Sequence, residues 1–128
     1  MKLLLDTHAL IWAIVEPELL SNRVSTALLD ESNEVLVSIA SIWEISLKAQ
    51  AGKLPIPATP DFLARHIRLL GVSGYLPIEL SHVYRASELA PIHKDPFDRI
   101  LVAQALAENL VLVSKDRILA QYPVELLW

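Results

Sequence analysis

The stretch from His93 to Asp116, HKDPFDRILVAQALAENLVLVSKD, constrains the fold of this chain more than any other. Asp95-Pro96 is a helix start: Asp caps the first turn, and Pro takes the first helical position, where its missing N–H costs nothing. Ile100 to Leu110 is apolar except for Gln104, Glu108 and Asn109. Gln104 and Glu108 are four residues apart and share a face, which predicts that this face meets solvent and the rest of the helix is buried. Asn109 is a helix stop. Leu110 to Val113 is apolar on both faces, the pattern of a strand in a covered parallel sheet. Ser114-Lys115-Asp116 follows at once. Asp116 is thereby placed just past the C-terminal end of a buried strand, and Asp98 in the first turn of a buried helix. A largely apolar unit with an acid at each end needs a reason for keeping them.

The remainder of the chain alternates in the same way. Lys2 to Leu5 is an apolar strand ending at Asp6, followed by a helix from His8 to about Val15 that Asp6 or Thr7 caps. A second helix runs from about Ser21 to Leu29, with Val24, Ala27 and Leu28 as its apolar stripe. Glu34 to Val37 is a strand with Ser38 at its end, and a helix from about Ala40 to Ala51 stops at Gly52. Gly52 to Pro60, with three prolines, is a rigid loop. Asp61 is read as the cap of a helix reaching Leu70. Tyr75 to Ile78 is extended, Ser81 to Leu89 helical, Arg117 to Gln121 a short helix and Val124 to Leu127 extended. Strands alternating with helices predict an α/β fold with a mainly parallel central sheet, in one domain spanning residues 1–128. In such a sheet every strand C-terminus lies on one edge, where ligands bind. Asp6 and Asp116, 110 positions apart in sequence, follow the two most apolar strands and are expected to be neighbours in space.

Composition narrows the chemistry. The chain has 128 residues and no cysteine, which removes disulfides and thiolate metal sites. Its four histidines show no metal-ligand spacing, so any metal is a hard cation held mostly by carboxylates. A net charge of −4 argues against coating nucleic acid through a broad basic surface, though not against a short contact through a metal and a few local cations. No apolar run approaches the roughly 18 residues of a membrane span, and Asp6 interrupts the apolar start of the chain. The expectation is a cytoplasmic protein that makes no membrane contact. With 53% apolar residues in so short a chain, some apolar surface is expected to be covered by another chain.

Each acid has a structural reading beside the functional one. Asp6 can be an N-cap. Glu44 can close an S-x-x-E capping box with Ser41 and pair with Lys48 at i,i+4. Asp95 is assigned mainly to capping, which leaves Asp98 free to point above the sheet edge. Asp116 can cap the short helix after it. His8 and His93 have no visible partner in the sequence. Lys94, Arg99, Lys115 and Arg117 flank the acids, either balancing charge or contacting phosphate. Together Asp6, Glu44, Asp98 and Asp116 fall on one sheet edge. Like charges gathered in a cleft repel one another, and a divalent cation, Mg²⁺ or Mn²⁺, resolves the repulsion. Such a cation makes hydroxide from water and stabilises the in-line displacement of a phosphodiester.

LLLDTH, SIWEISLK, KDPFDRILVAQA and LVLVSKD occur here in an order and spacing that resemble the PIN-domain ribonucleases of the VapC toxin type. No single piece is specific; the four together are. The resemblance implies a three-layer α/β/α fold, with Asp6, Glu44, Asp98 and Asp116 as catalytic metal ligands. It adds Thr7 and Ser114 as supporting hydroxyls and Asp95 as an additional acid. It further implies Mg²⁺-dependent endonucleolytic cleavage of RNA, a homodimer, and inhibition by a cognate antitoxin protein. Two alternatives stand beside it. A receiver-like Mg²⁺-binding signalling module would want paired acids after the first strand, where Asp6 is single. A catalytically inactive interaction domain would have no use for all four acids.

Overall fold

The computed structural model describes residues 1–57 and 59–128. The chain runs β1 (Lys2–Leu5), α1 (Thr7–Val15), a 3₁₀ turn (Pro17–Leu19), α2 (Asn22–Leu29), β2 (Glu34–Ser38) and α3 (Ile39–Gln50). It continues through α4 (Pro60–Leu69), β3 (Gly74–Leu76), α5 (Leu80–Glu88), α6 (Pro96–Glu108), β4 (Val111–Val113), a 3₁₀ helix (Arg117–Gln121) and β5 (Leu126–Leu127). The strands form one sheet in the order β3-β2-β1-β4-β5, and all four pairings are parallel.

The pleat of β1 sends side chains alternately to two cores. Leu3 and Leu5 join Val35, Val37 and Val113 on one face, covered by Leu10 of α1, Val24 of α2, Ile45 of α3 and Leu63 and Ile67 of α4. Leu4 and Leu112 face the other way, under Leu101, Val102 and Ala105 of α6, with Leu119 and Tyr122 beside them. Helices thus cover both faces of the sheet in three layers. Apolar runs without alternation in β1 and β4 are the sequence signature of this double burial.

Local chemistry sets the helix ends. Ser21 caps α2 through Val24 N–H at 3.1 Å. Asp95 caps α6 by accepting from Phe97 N–H at 2.8 Å and Asp98 N–H at 3.4 Å. Asn109 ends α6 in the left-handed conformation, φ 54°, which a short amide side chain tolerates.

Three expectations are corrected. The cap of α4 is Thr59, whose hydroxyl accepts from Phe62 N–H, and Asp61 lies inside the first turn. With Pro60 at the first helical position, the residue before it must be the cap. The expected loop Gly52–Pro60 also contains Ala58, which lies outside the described residues. In α3 the cap is Ser38, accepting from Ala40 N–H at 3.0 Å. Ser41 and Glu44 therefore lie within the helix and form no capping box. Lastly, Gln104 does not face solvent. It is fully buried, and α5 packs along α6. Its amide is satisfied across the fold: Oε1 accepts from the Ser38 hydroxyl at 2.6 Å, and Nε2 donates to Pro77 O at 3.1 Å. Glu108 does reach the surface, where it meets Nε2 of the buried His82 at 2.9 Å.

Candidate active site

Parallel pairing carries β1 and β4 side by side, Leu5 opposite Val113, and both strands end on the same edge. Asp6 follows one and Ser114 to Asp116 the other. The Asp6 N–H continues the ladder by donating to Val113 O at 3.0 Å. Asp6 is also the cap of α1, accepting from Ala9 N–H at 2.7 Å, so capping the helix does not take it away from this edge. The Ser114 hydroxyl accepts from Asp116 N–H at 3.1 Å and hydrogen-bonds the Asp6 carboxylate. Asp116 accepts from Ile118 N–H at 3.0 Å, capping the 3₁₀ helix after it.

Glu44 arrives from the second turn of α3. That helix is tied to α1 by the buried hydrogen bond between the Thr7 and Ser41 hydroxyls, 3.1 Å, and to α6 by the edge-on contact of Trp43 with Phe97, ring centroids 5.2 Å apart. Asp98 stands one residue beyond Phe97. Glu44 Oε2 accepts from Lys48 Nζ at 2.5 Å, the i,i+4 pair the sequence announces. Its other oxygen, Oε1, is buried and has no hydrogen-bond partner; among the described residues it is the one such side-chain atom.

Asp6, Asp98 and Asp116 line a cleft of about 330 Å³ together with His8, Trp12 and Lys115. The charges in it are felt mutually. Burial pushes the Asp6 carboxyl above its ordinary value and Asp116 pushes it further, while hydrogen bonds from Ser114 and Ala9 and the nearby His8 pull it back. The Asp98 carboxyl is pushed up to about 6, first by burial and then by Asp95; His93 opposes the shift, and Asp6 and Glu44 add to it. Four acids contributed by distant segments therefore share one edge, two of them resisting ionisation. Perturbation of this kind gathers where proteins perform chemistry.

Thr7 bonds Ser41 rather than an acid, so it braces two helices that carry the site. Lys94, Lys115 and Arg117 are exposed around the acids, and Lys115 Nζ lies 5.8 Å from the centre of the Trp12 ring. Arg99 does not belong with them. Its guanidinium is spent on the carbonyls of Ala86, Leu89, Ala90 and His93 and on the Tyr122 hydroxyl, at 2.8–3.4 Å. It clamps the segment before α6 and has little left to offer a phosphate. His93, by contrast, does have partners: Nε2 lies 2.9 Å from Asp116 Oδ2 and 3.2 Å from Asp98 Oδ2. Its nearness to Asp95 in the sequence was the only signal, since Asp116 is 23 positions away.

The donor set suits a divalent cation. It is dominated by carboxylate oxygens, the choice of hard ions. Glu44 Oε1 is a buried acceptor that no other described residue satisfies, a situation folding avoids unless something else supplies the partner.

Comparison with known proteins agrees with this geometry. The family model described as "PIN domain" matches residues 3–125. Ribonuclease VapC22 of Mycobacterium tuberculosis (strain ATCC 25618 / H37Rv) is 30% identical over 118 residues, covering 89% of this chain and 86% of that protein. Two solved structures share the fold. VapBC2 from Rickettsia felis, bound to a DNA fragment from its promoter, superimposes with a TM-score of 0.74 at 15% identity, covering 99% of this chain and 98% of the other. DNA-bound VapBC from Salmonella typhimurium gives 0.72 at 18%, covering 99% and 97%. A three-layer parallel fold, an acidic strand edge and a sequence match over nearly the whole length all lead to one assignment: this chain belongs to the PIN domain family.

Proposed function

We propose that this protein is a divalent-cation-dependent endoribonuclease, and the toxin of a toxin–antitoxin pair. The observation that carries the reading is the acidic edge: Asp6, Asp98 and Asp116 line one cleft, two of them held above their ordinary pKa, and Glu44, near enough to push Asp98 further up, carries an orphaned buried oxygen. The similarity to Ribonuclease VapC22 supports RNA as the substrate, and VapBC neighbours support an antitoxin protein as partner. PIN membership leaves no room for the receiver-like alternative.

In this reading Asp6, Glu44, Asp98 and Asp116 hold Mg²⁺ or Mn²⁺. The chemistry a bound cation supplies is the activation of water at neutral pH and the offset of charge during in-line displacement. The protein's own groups do the rest. Ser114 and the Ala9 N–H fix the Asp6 carboxylate; Lys48 holds one Glu44 oxygen so that the other faces inward. Lys94, Lys115 and Arg117, at the exposed rim, take the phosphates flanking the cut. Asp95 serves as the cap that sets the first turn of α6, and thereby Asp98.

The protein acts as a homodimer in the cytoplasm. α3 exposes Ile39, Trp43 and Leu47 at i, i+4 and i+8, and α5 exposes Leu80, Val83 and Tyr84. Apolar stripes of this kind on two helices are surface for a second chain. Among the described residues no helix is long and apolar enough to cross a membrane.

The test is cleavage of a mixed RNA pool. Cutting should require Mg²⁺ or Mn²⁺ and stop with excess chelator. Ca²⁺ should bind yet support little activity, because its looser coordination positions water poorly. Cleavage that persists in chelator would remove the carboxylates as metal ligands. No cleavage with either ion would favour the inactive interaction domain.

A further inference from the structure

His93 is held on every side. Its backbone N–H donates to the Tyr122 hydroxyl at 3.0 Å, and its carbonyl accepts from Arg99 at 3.4 Å. Its Nδ1 accepts the backbone N–H of Asp95 at 3.1 Å. A ring nitrogen that accepts an N–H carries no proton, so the proton of the neutral imidazole is on Nε2. That Nε2 is 2.9 Å from Asp116 Oδ2 and 3.2 Å from Asp98 Oδ2. That N–H is hydrogen-bonded to Asp116, beyond β4, and Asp98, in the first turn of α6, lies beside it as a close charge rather than a second acceptor. The other oxygen of Asp116 is fixed by Ile118 N–H.

Two roles compete for such an imidazole. As a cation ligand it would work beside Asp98 and Asp116, whose candidate ligand atoms and its own all lie within 4.8 Å of one another. Ligation needs a lone pair on Nε2, however, and that moves the proton to Nδ1, where it would collide with the Asp95 N–H. The donor role keeps every contact in place. We propose that His93 is a positioning residue whose Nε2–H holds the Asp116 carboxylate, with Asp98 drawn up beside it, in the orientation that receives the cation. This rests on the reading of the cleft as a cation-dependent nuclease site. The same ring stands between two like charges before the cation arrives, so less reorganisation accompanies binding. Hydrogen-bond donors behind ligating groups contribute in this way elsewhere, and their removal typically weakens metal affinity about ten- to hundredfold.

The experiment is Mn²⁺ binding to the full chain without RNA, followed by loss of the aqueous Mn²⁺ electron paramagnetic resonance signal. Parent, His93→Ala, His93→Gln and His93→Asn are compared, with circular dichroism as a check on folding. His93→Ala should bind about ten- to hundredfold more weakly. His93→Gln, whose side-chain amide N–H reaches the Nε2 position, should recover most of the loss. His93→Asn, one methylene shorter, should not. The spin-echo spectrum of parent with Mn²⁺ should lack the coupling of a directly coordinated imidazole nitrogen. Unchanged or tighter binding by His93→Ala, failure of Gln to rescue, or a direct nitrogen coupling would each overturn the proposal. If the parent binds Mn²⁺ and cleaves RNA while the His93 variants bind undiminished, only the His93 role falls. If the parent binds no Mn²⁺, the cation-site reading falls and takes this proposal with it.

Discussion

Replacing Asp98 by Asn should make the metal-free protein more stable, by an amount that depends on pH. Asn imitates the protonated acid in shape and charge, so the variant escapes whatever ionising Asp98 costs the fold. That cost follows from the shift of its carboxyl from 3.8 to about 6. At about 1.36 kcal/mol per unit it is at most about 3 kcal/mol. The folded state holds this proton more tightly than the unfolded state does. The cost is therefore absent below 3.8, grows between 3.8 and about 6, and is complete above 6. Urea denaturation in chelator at low salt should show Asp98→Asn ahead of the parent by up to about 3 kcal/mol at pH 7.5 and by about 1 kcal/mol at pH 4.5. Adding Mn²⁺ should raise the parent more than the variant, because only the parent keeps the full ligand set. The variant should also have lost RNA cleavage. An Asp98→Asn protein that is less stable than the parent at pH 7.5, or equally ahead at both pH values, would refute the reasoning. Asp98 would then be a structural acid rather than one strained by burial among its neighbours.

Asp95→Ala removes a cap that serves two N–H groups of α6; it should cost about 1 kcal/mol in urea denaturation and leave much of the RNA cleavage, and complete loss of cleavage with the fold intact would move Asp95 into the chemistry. Sedimentation at micromolar concentration should show a dimer, which Tyr84→Lys or Trp43→Lys weakens; a clean monomer of the parent would leave the apolar stripes on α3 and α5 to another partner.

What the sequence made legible was whatever depends on near neighbours or on burial of whole runs. The apolar runs Leu3–Leu5, Val35–Val37 and Val111–Val113 stand out because a segment covered on both faces has little room for a polar residue. Asp95-Pro96 and Ser21 are caps decided within one turn. The meeting of Asp6 with Asp116 followed from the rule that parallel strands end on one edge. What stayed hidden were side chains whose partners come from afar. Gln104 looked like a solvent position because a glutamine in an apolar helix usually is one; the Ser38 hydroxyl that satisfies it is 66 positions away. Arg99 looked like a phosphate contact because it adjoins an acid, and its carbonyl partners lie on a segment whose path no periodicity reveals. His93 looked idle for the same reason. Thr59 and Ser38 are different: both caps are local, but Asp61 and the Ser41–Glu44 spacing, two and three residues further on, present more familiar cap patterns.

The central position of β1 has a consequence for the making of the protein. Leu3 to Leu5 are synthesised long before Val111 to Val113, one of their two neighbours in the sheet. A nascent chain that has passed residue 98 already carries Asp6, Glu44 and Asp98, but one side of β1 is unpaired and Asp116 does not exist. Chains fold in domain-sized units as they emerge, and contacts that span the sequence close late. The cleft is therefore assembled only after the segment through Asp116 has emerged. For an enzyme proposed to cut RNA, a chain interrupted before Asp116 lacks one of the four acids and with it the complete site.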